Sequence, residues 1–179
     1  MDKIIDFSKR IISEIENKNI AVDMTCGRGN DTLFLAKNFK QVYAFDIQEC
    51  AINDTNKLLN DNSLNNYKLF NDSFINIDKY DINNIDCVMY NLGYLPKGDK
   101  SIHTISTDTL ESLKKVLKLM NKDGIISICF YPGFPSGKEE SILLDNYLRT
   151  IDQKEFDVLK YDFINQVNDP PYLVLIRKR

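Results

Sequence analysis

Apolar positions along the chain change period in a regular way. Ile4, Phe7, Ile11, Ile12 and Ile15 recur at helical spacing with charges between them, which predicts an amphipathic helix over 3–16. Ile20-Ala21-Val22 is a short apolar run ending at Asp23, a strand. Asn30 and Asp31 are good capping residues for a helix carrying Leu33, Phe34, Leu35 and Ala36. A strand over 41–45 ends at Asp46, a helix carries Ala51, Ile52, Leu58 and Leu59, and a strand over 67–70 ends at Asp72. A fourth strand, 85–90, ends at Asn91. Leu110, Leu113, Val116, Leu117 and Met120 define a helix closed by Asp123-Gly124, followed by a strand over 125–130. A helix over 138–150 and two strands, 156–163 and 172–176, complete the chain.

This alternation predicts an α/β fold, a mostly parallel sheet with helices on both faces. The loop from Asn165 to Pro171 is too short for a parallel crossover, so the last two strands should be antiparallel neighbours. A Rossmann-like, seven-stranded, mostly parallel sheet with an antiparallel C-terminal strand resembles the class I methyltransferases. A plain dinucleotide-binding sheet lacks that ending. The length of 179 residues fits one domain spanning 1–179.

Composition narrows the reading further. Hydrophobic residues make up 43% and charged residues 27%, ordinary for a globular chain. No stretch approaches the roughly 20 apolar residues of a membrane span, and charges break the first apolar run at once. The expectation is a cytoplasmic protein. Cys26, Cys50, Cys87 and Cys129 form no CxxC pair and the one histidine, His103, is distant from them, which argues against a metal site. They read as free thiols, mostly buried. A net charge of −3 argues against a grip on long nucleic acid but leaves room for a local basic patch, such as Arg28, Lys97 and Lys100. Oligomeric state stays open, a homodimer included.

The chemistry collects where strands end. Asp23, Asp46, Asp72 and Asn91 each follow an apolar run. In an open parallel sheet those ends share a ligand cleft. In the first turn, Gly27 and Gly29 permit a sharp bend and close backbone approach to a ligand, with Asn30 following. A dinucleotide fingerprint would want a third glycine where Thr32 stands. An acid four residues before the first glycine, as Asp23 is, resembles the turn of S-adenosylmethionine sites. Asp46 can accept two hydrogen bonds from ribose hydroxyls, with Gln48 assisting. That suits NAD as well. Asp72 and Ser73 are placed to meet an adenine edge. Asn91, at the next strand end, is counted with both the cofactor and the catalytic residues. The loop Asn91-Leu92-Gly93-Tyr94-Leu95-Pro96 keeps the Asn–aromatic spacing of the catalytic loop of amine methyltransferases, without its two prolines. An Asn carbonyl can accept a hydrogen bond from an amine, and Tyr94 can stack on a base.

Taken together, Val22-Asp23 with 27–36, then 45–48, 91–96 with 98–100, 131–133 with 137–140, and Asn165-Gln166 with Pro170-Pro171 resemble the rRNA methylase family of small S-adenosylmethionine-dependent methyltransferases. Some members methylate 5-aminomethyl-uridine at the tRNA wobble position to 5-methylaminomethyl-uridine. The resemblance implies an S-adenosylmethionine cofactor and a tRNA anticodon loop as substrate. One departure is Phe134, where the family usually has His. Candidate substrate residues are Tyr94, Asp99, Lys100, Tyr131, Asn165 and Gln166; burial and the neighbouring sulfonium would both lower an amine's pKa, so a dedicated base is not required, and Asp99 and Tyr131 are the available candidates if one exists. Other acceptors stay open: ribosomal RNA, a protein side chain or a small amine. So does another class, an NAD enzyme or a non-catalytic nucleotide binder. The missing third glycine speaks against NAD, and intact Asn91 and Tyr94 against a dead enzyme.

Overall fold

The computed structural model describes residues 2–93 and 103–179. Tyr94, Lys97, Asp99 and Lys100 lie outside them. Among the described residues five α-helices and seven strands follow in the expected order: α1 (Ile4–Ser13), β1 (Ile20–Asp23), α2 (Asn30–Asn38), β2 (Gln41–Phe45), α3 (Glu49–Asp61), β3 (Tyr67–Phe70), β4 (Ile85–Asn91), α4 (Ser106–Leu119), β5 (Met120–Phe130), α5 (Pro135–Leu148), β6 (Phe156–Tyr161) and β7 (Tyr172–Lys178). They form one sheet of order β3-β2-β1-β4-β5-β7-β6. The first five strands are parallel, and β7 runs antiparallel to both β5 and β6. This is the fold of class I methyltransferases.

Strand alternation divides the core between two faces. Ala21, Val42, Cys87 and Met89 point to one face, where Ile12 of α1, Leu35 of α2 and Leu59 of α3 cover them. Val22, Val88, Tyr90 and Ile126 point to the other, under Leu113 and Val116 of α4 and Leu144 of α5. Cys26, Cys87 and Cys129 are buried free thiols and Cys50 is exposed.

Two local features depart from the sequence reading. Met120 does not continue α4; it opens β5 in extended conformation. The β4–β5 ladder then shifts register, from Ile85↔Met120 to Cys87↔Ile125. Asp123 takes up the excess at φ 63°, and the Asn121 amide donates to the Asn84 carbonyl and the Asp86 carboxylate. A bulge has no periodic signature, so the apolar Met120 reads as helix. The second is a 3-10 helix over Phe74–Lys79, too short to show a helical apolar period.

Candidate active site

Loops above the C-terminal ends of β1, β2 and β4 enclose a cavity of about 630 Å³. It lies where the strand order reverses, with β2 on one side of β1 and β4 on the other. Open α/β sheets bind ligands at that point, and the volume suits a cofactor together with a small acceptor.

The β1 loop forms its floor. Asp23 is 1% exposed. Its Oδ1 accepts the Thr25 amide at 3.1 Å and its Oδ2 the Thr32 hydroxyl at 2.7 Å. It braces the loop from beneath and does not line the cavity. The Met24 amide donates to the Met89 carbonyl and the Cys26 amide to the Phe45 carbonyl, so the loop is stitched to both neighbours of β1. Gly27 and Gly29 stand at φ 52° and 82°. A Cβ on Gly29 would come within 2.9 Å of the Thr55 hydroxyl. The backbone here must therefore be both left-handed and bare. Gly29, not Asn30 or Asp31, is the residue that caps α2, without a side-chain bond. Asn30 and Asp31 lie in the first helical turn and line the cavity.

Asp46 follows β2 and lines the next wall. Its Oδ2 accepts the Gly27 amide at 3.0 Å and its Oδ1 the Gln48 amide at 2.9 Å. Burial raises its carboxyl above the ordinary value, against the pull of those amides. Ile47, 55% exposed, and Gln48 continue this wall, and Ser73 and Phe74 add to it. Asp72 faces elsewhere. Its carboxylate accepts from the Ser73 amide, the Asn76 side chain and the Tyr80 hydroxyl. These bonds, Asn76 first, hold its carboxyl below the ordinary range. It organises the 3-10 helix and is not part of the cavity wall.

The end of β4 supplies the third wall. The Asn91 amide N–H donates to the Thr25 hydroxyl at 2.8 Å. Its side-chain Nδ2 donates to Asp31 Oδ2 at 3.2 Å, and Asp31 Oδ1 pairs with Lys9 Nζ of α1 at 2.7 Å. The Tyr131 phenol lines the same wall as Asn91. Burial, then Cys129 and Asp31, push that phenol well above its ordinary value, so Tyr131 stays protonated at neutral pH. The Phe134 ring comes 3.7 Å from where a Gly93 Cβ would sit, joining the β4 and β5 loops. His103, Thr104, Ile105 and Asp108 complete the far side.

Gly93 and Thr104 clasp each other. The Thr104 amide donates to the Gly93 carbonyl at 2.9 Å, and the Gly93 amide donates to the Thr104 hydroxyl at 3.0 Å. That hydroxyl donates to Glu140 Oε2 at 2.9 Å, while Glu140 Oε1 accepts the Thr109 hydroxyl at 2.7 Å. Glu140 is 3% exposed. Asn165 and Gln166 are exposed and do not line the cavity. Their loop rests with the Asn168 and Asp169 carbonyls against Gly133, and Lys138 pairs with Asp169 at 3.0 Å. Lys9, Asp31, His103 and Glu140 were not singled out as site residues from the sequence. Asp31 and Glu140 sit inside the motif segments. Lys9 reads only as a solvated helix charge, and the sole histidine only as a residue far from any cysteine.

The donor set fits an adenosyl cofactor. It combines a bare left-handed cradle, a carboxylate one strand away and an exposed apolar side chain beside it. Among the described residues no group of three or more His, Cys, Asp or Glu could hold a metal ion, and no helix is long and apolar enough to cross a membrane.

Asp23 carries a testable pH dependence. Burial, then the charge of Asp31, raises its carboxyl from 3.8 to about 7. The folded chain therefore holds a proton that the unfolded chain releases as pH rises from about 4. The stabilisation is complete below pH 4 and is lost as pH climbs through 7. Urea unfolding of wild type and Asp23→Asn across pH 4–8 is expected to give diverging curves, the wild type losing stability relative to the variant. Parallel curves would show that Asp23 carries no such proton.

The chain matches the family described as "Putative rRNA methylase" over residues 42–177. It is 34% identical over 180 residues to the chloroplastic tRNA (mnm(5)s(2)U34)-methyltransferase of Arabidopsis thaliana, covering 92% of this chain and 65% of that protein's length. The chain thus spans just under two thirds of that relative. A solved "putative rRNA-methylase" from Clostridium thermocellum has 41% identity and a TM-score of 0.97, covering 100% of this chain and 99% of the other. A "putative methyltransferase" from Streptococcus mutans, solved in complex with SAH, has 37% identity and a TM-score of 0.93, with the same coverage. The chain belongs to the rRNA methylase family of class I, S-adenosylmethionine-dependent methyltransferases.

Proposed function

We propose that this chain methylates RNA, its acceptor being the 5-aminomethyl group of a wobble uridine in the tRNA anticodon loop. The observation that carries the reading is the setting of Asn91. Its NH2 donates to Asp31, which is itself held by Lys9. The amide carbonyl is then the end that meets an incoming amine, and it accepts an N–H while the nitrogen lone pair points away. A part-buried hydrogen-bonded chain of this kind limits reorganisation of the carbonyl during reaction. The name of the plant relative gives the same acceptor.

Gly27, Gly29 and Asn30 would hold the amino-acid end of S-adenosylmethionine, with Asp23 as the brace beneath them. Asp46 and Gln48 would hold the ribose, and Ile47, Ser73 and Phe74 the adenine. When bound, the cofactor supplies an electrophilic methyl group for in-line displacement. The protein's task is to align the amine and keep water out. Anticodon bases are unstacked and can be splayed into a pocket, so a chain of net charge −3 needs only a few basic contacts near the rim, such as Arg28. Tyr131 lines the cavity and is assigned to the acceptor; Tyr94, Asp99 and Lys100, assigned the same role, lie outside the described residues. Asn165 and Gln166, exposed on the β6–β7 loop, have no part in it.

The test is nucleoside mass spectrometry of tRNA from cells lacking this protein. Accumulated aminomethyl-uridine with loss of methylaminomethyl-uridine is the expected result. An unchanged tRNA profile with a missing methyl mark on ribosomal RNA would move the protein to that substrate.

A further inference from the structure

Lys9 of α1 approaches the site from behind. Its ammonium lies over the Phe34 ring of α2, 5.4 Å from the centroid, and meets Asp31 Oδ1 at 2.7 Å. Both side chains are largely shielded from solvent, at 26% and 11% exposure. The other Asp31 oxygen accepts the Asn91 NH2 at 3.2 Å. Asp31 and Asn91 line the cavity and Lys9 does not. A helix at the start of the chain therefore delivers a positive charge to the back of the wall that meets the acceptor.

The Asp31 carboxylate is felt by every acid around it. Burial first, with the charge of Asp31 adding to it, raises the Asp23 carboxyl at the end of β1, the Cys129 thiol in β5 and the Tyr131 phenol beyond it. Lys9 opposes that push at Cys129. An amine hydrogen-bonded to the Asn91 carbonyl is one amide group away from the same carboxylate. An alkyl amine is an ammonium at neutral pH, as lysine is, and an ammonium has no lone pair with which to attack. Burial and a neighbouring sulfonium favour the neutral amine; an uncompensated carboxylate favours the ammonium. The other charged or titratable groups of the cavity, Arg28, Asp46, His103 and Asp108, stand on the cofactor loop, the β2 wall and the far side.

We propose that Lys9 is a positioning residue for methyl transfer: by pairing with Asp31 it lets that carboxylate orient Asn91 without holding the acceptor as its ammonium. This rests on the amine reading of the acceptor. The proton that the amine sheds passes to water and its electron pair stays on nitrogen. That pair forms the new N–C bond while the S–C bond breaks towards sulfur, leaving a secondary ammonium and a neutral thioether.

Two measurements test the assignment. First, single-turnover methyl transfer to an anticodon stem-loop bearing aminomethyl-uridine is followed against pH at saturating S-adenosylmethionine. Lys9→Met is expected to lose about 10-fold at pH 7. The deficit should shrink as pH rises, because the amine then becomes neutral unaided. Lys9→Gln should share the deficit, and Lys9→Arg, which keeps the charge, should transfer close to the wild-type rate. Binding of the stem-loop should not weaken in Lys9→Met, whereas a merely loosened fold would weaken it and slow transfer equally at every pH. Second, in protein saturated with S-adenosylhomocysteine, the isotope-labelled aminomethyl carbon of the bound stem-loop should titrate at a higher pH in Lys9→Met than in the wild type. Wild-type transfer with an unimpaired Lys9→Met, a deficit independent of pH, or an unmoved titration overturns the assignment alone. Absence of transfer to that amine by the wild-type protein overturns the substrate reading and the assignment with it.

Discussion

Replacing Asn91 by Ala is expected to cut methyl transfer by about 100-fold or more while cofactor affinity stays within a few-fold. The magnitude is that of removing one preorganised hydrogen-bonding group from a reacting centre. The asymmetry comes from the local connections. The Asn91 backbone amide, which Ala retains, is what bonds Thr25 in the cofactor loop. Asp31 loses one donor but keeps Lys9 at 2.7 Å, so the loop stays in place. Single-turnover kinetics and calorimetry with S-adenosylhomocysteine separate the two quantities. An equal loss in both would make Asn91 a cofactor ligand first and would remove the argument for an amine acceptor.

Asp46→Ala should do the reverse, with the largest effect on cofactor affinity. Each carboxylate oxygen already accepts one backbone amide, from Gly27 and from Gln48, and each has capacity for one more. Two ribose hydroxyls would fill it. Hydrogen bonds to a charged group contribute about 1.5–3 kcal/mol each, so losing both predicts a drop of about 100-fold or more. The same side chain sets the Gly27 turn, and Asp46→Asn, with one acceptor oxygen left, should fall between. Calorimetry on folded variants checks this. Wild-type affinity in Asp46→Ala would reduce Asp46 to a brace of the loop.

The fold was legible because period and sheet face are coupled. The alternation Ala21/Val22 and Cys87/Val88/Met89/Tyr90 sends neighbours to opposite cores, and both were readable as strands. The antiparallel end followed from the length of a loop. Individual side chains were less legible, because an acid at a strand end reads the same whatever it faces. Asp46 lines the cavity; Asp23 lies beneath it, spent on Thr25 and Thr32; Asp72 turns away to Asn76 and Tyr80. Asn165 and Gln166 lie on the expected hairpin, but that hairpin rests against Gly133 at its other end. Lys9 and Asp31 are 22 positions apart and meet only because α1 packs across the sheet. No local pattern encodes that meeting.

The clasp between Gly93 and Thr104 has a consequence for how such a protein can diverge. Two reciprocal hydrogen bonds close the chain on itself at the neck of the segment between them, and Glu140 pins that neck to a helix from a later part of the chain. Loop closure costs only a little more as a segment lengthens. The clasp is therefore a seam where β4 and α4 are held to each other independently of the chain that joins them, so their mutual position should survive changes of length in that connection, as thermal melting of an insertion variant would check.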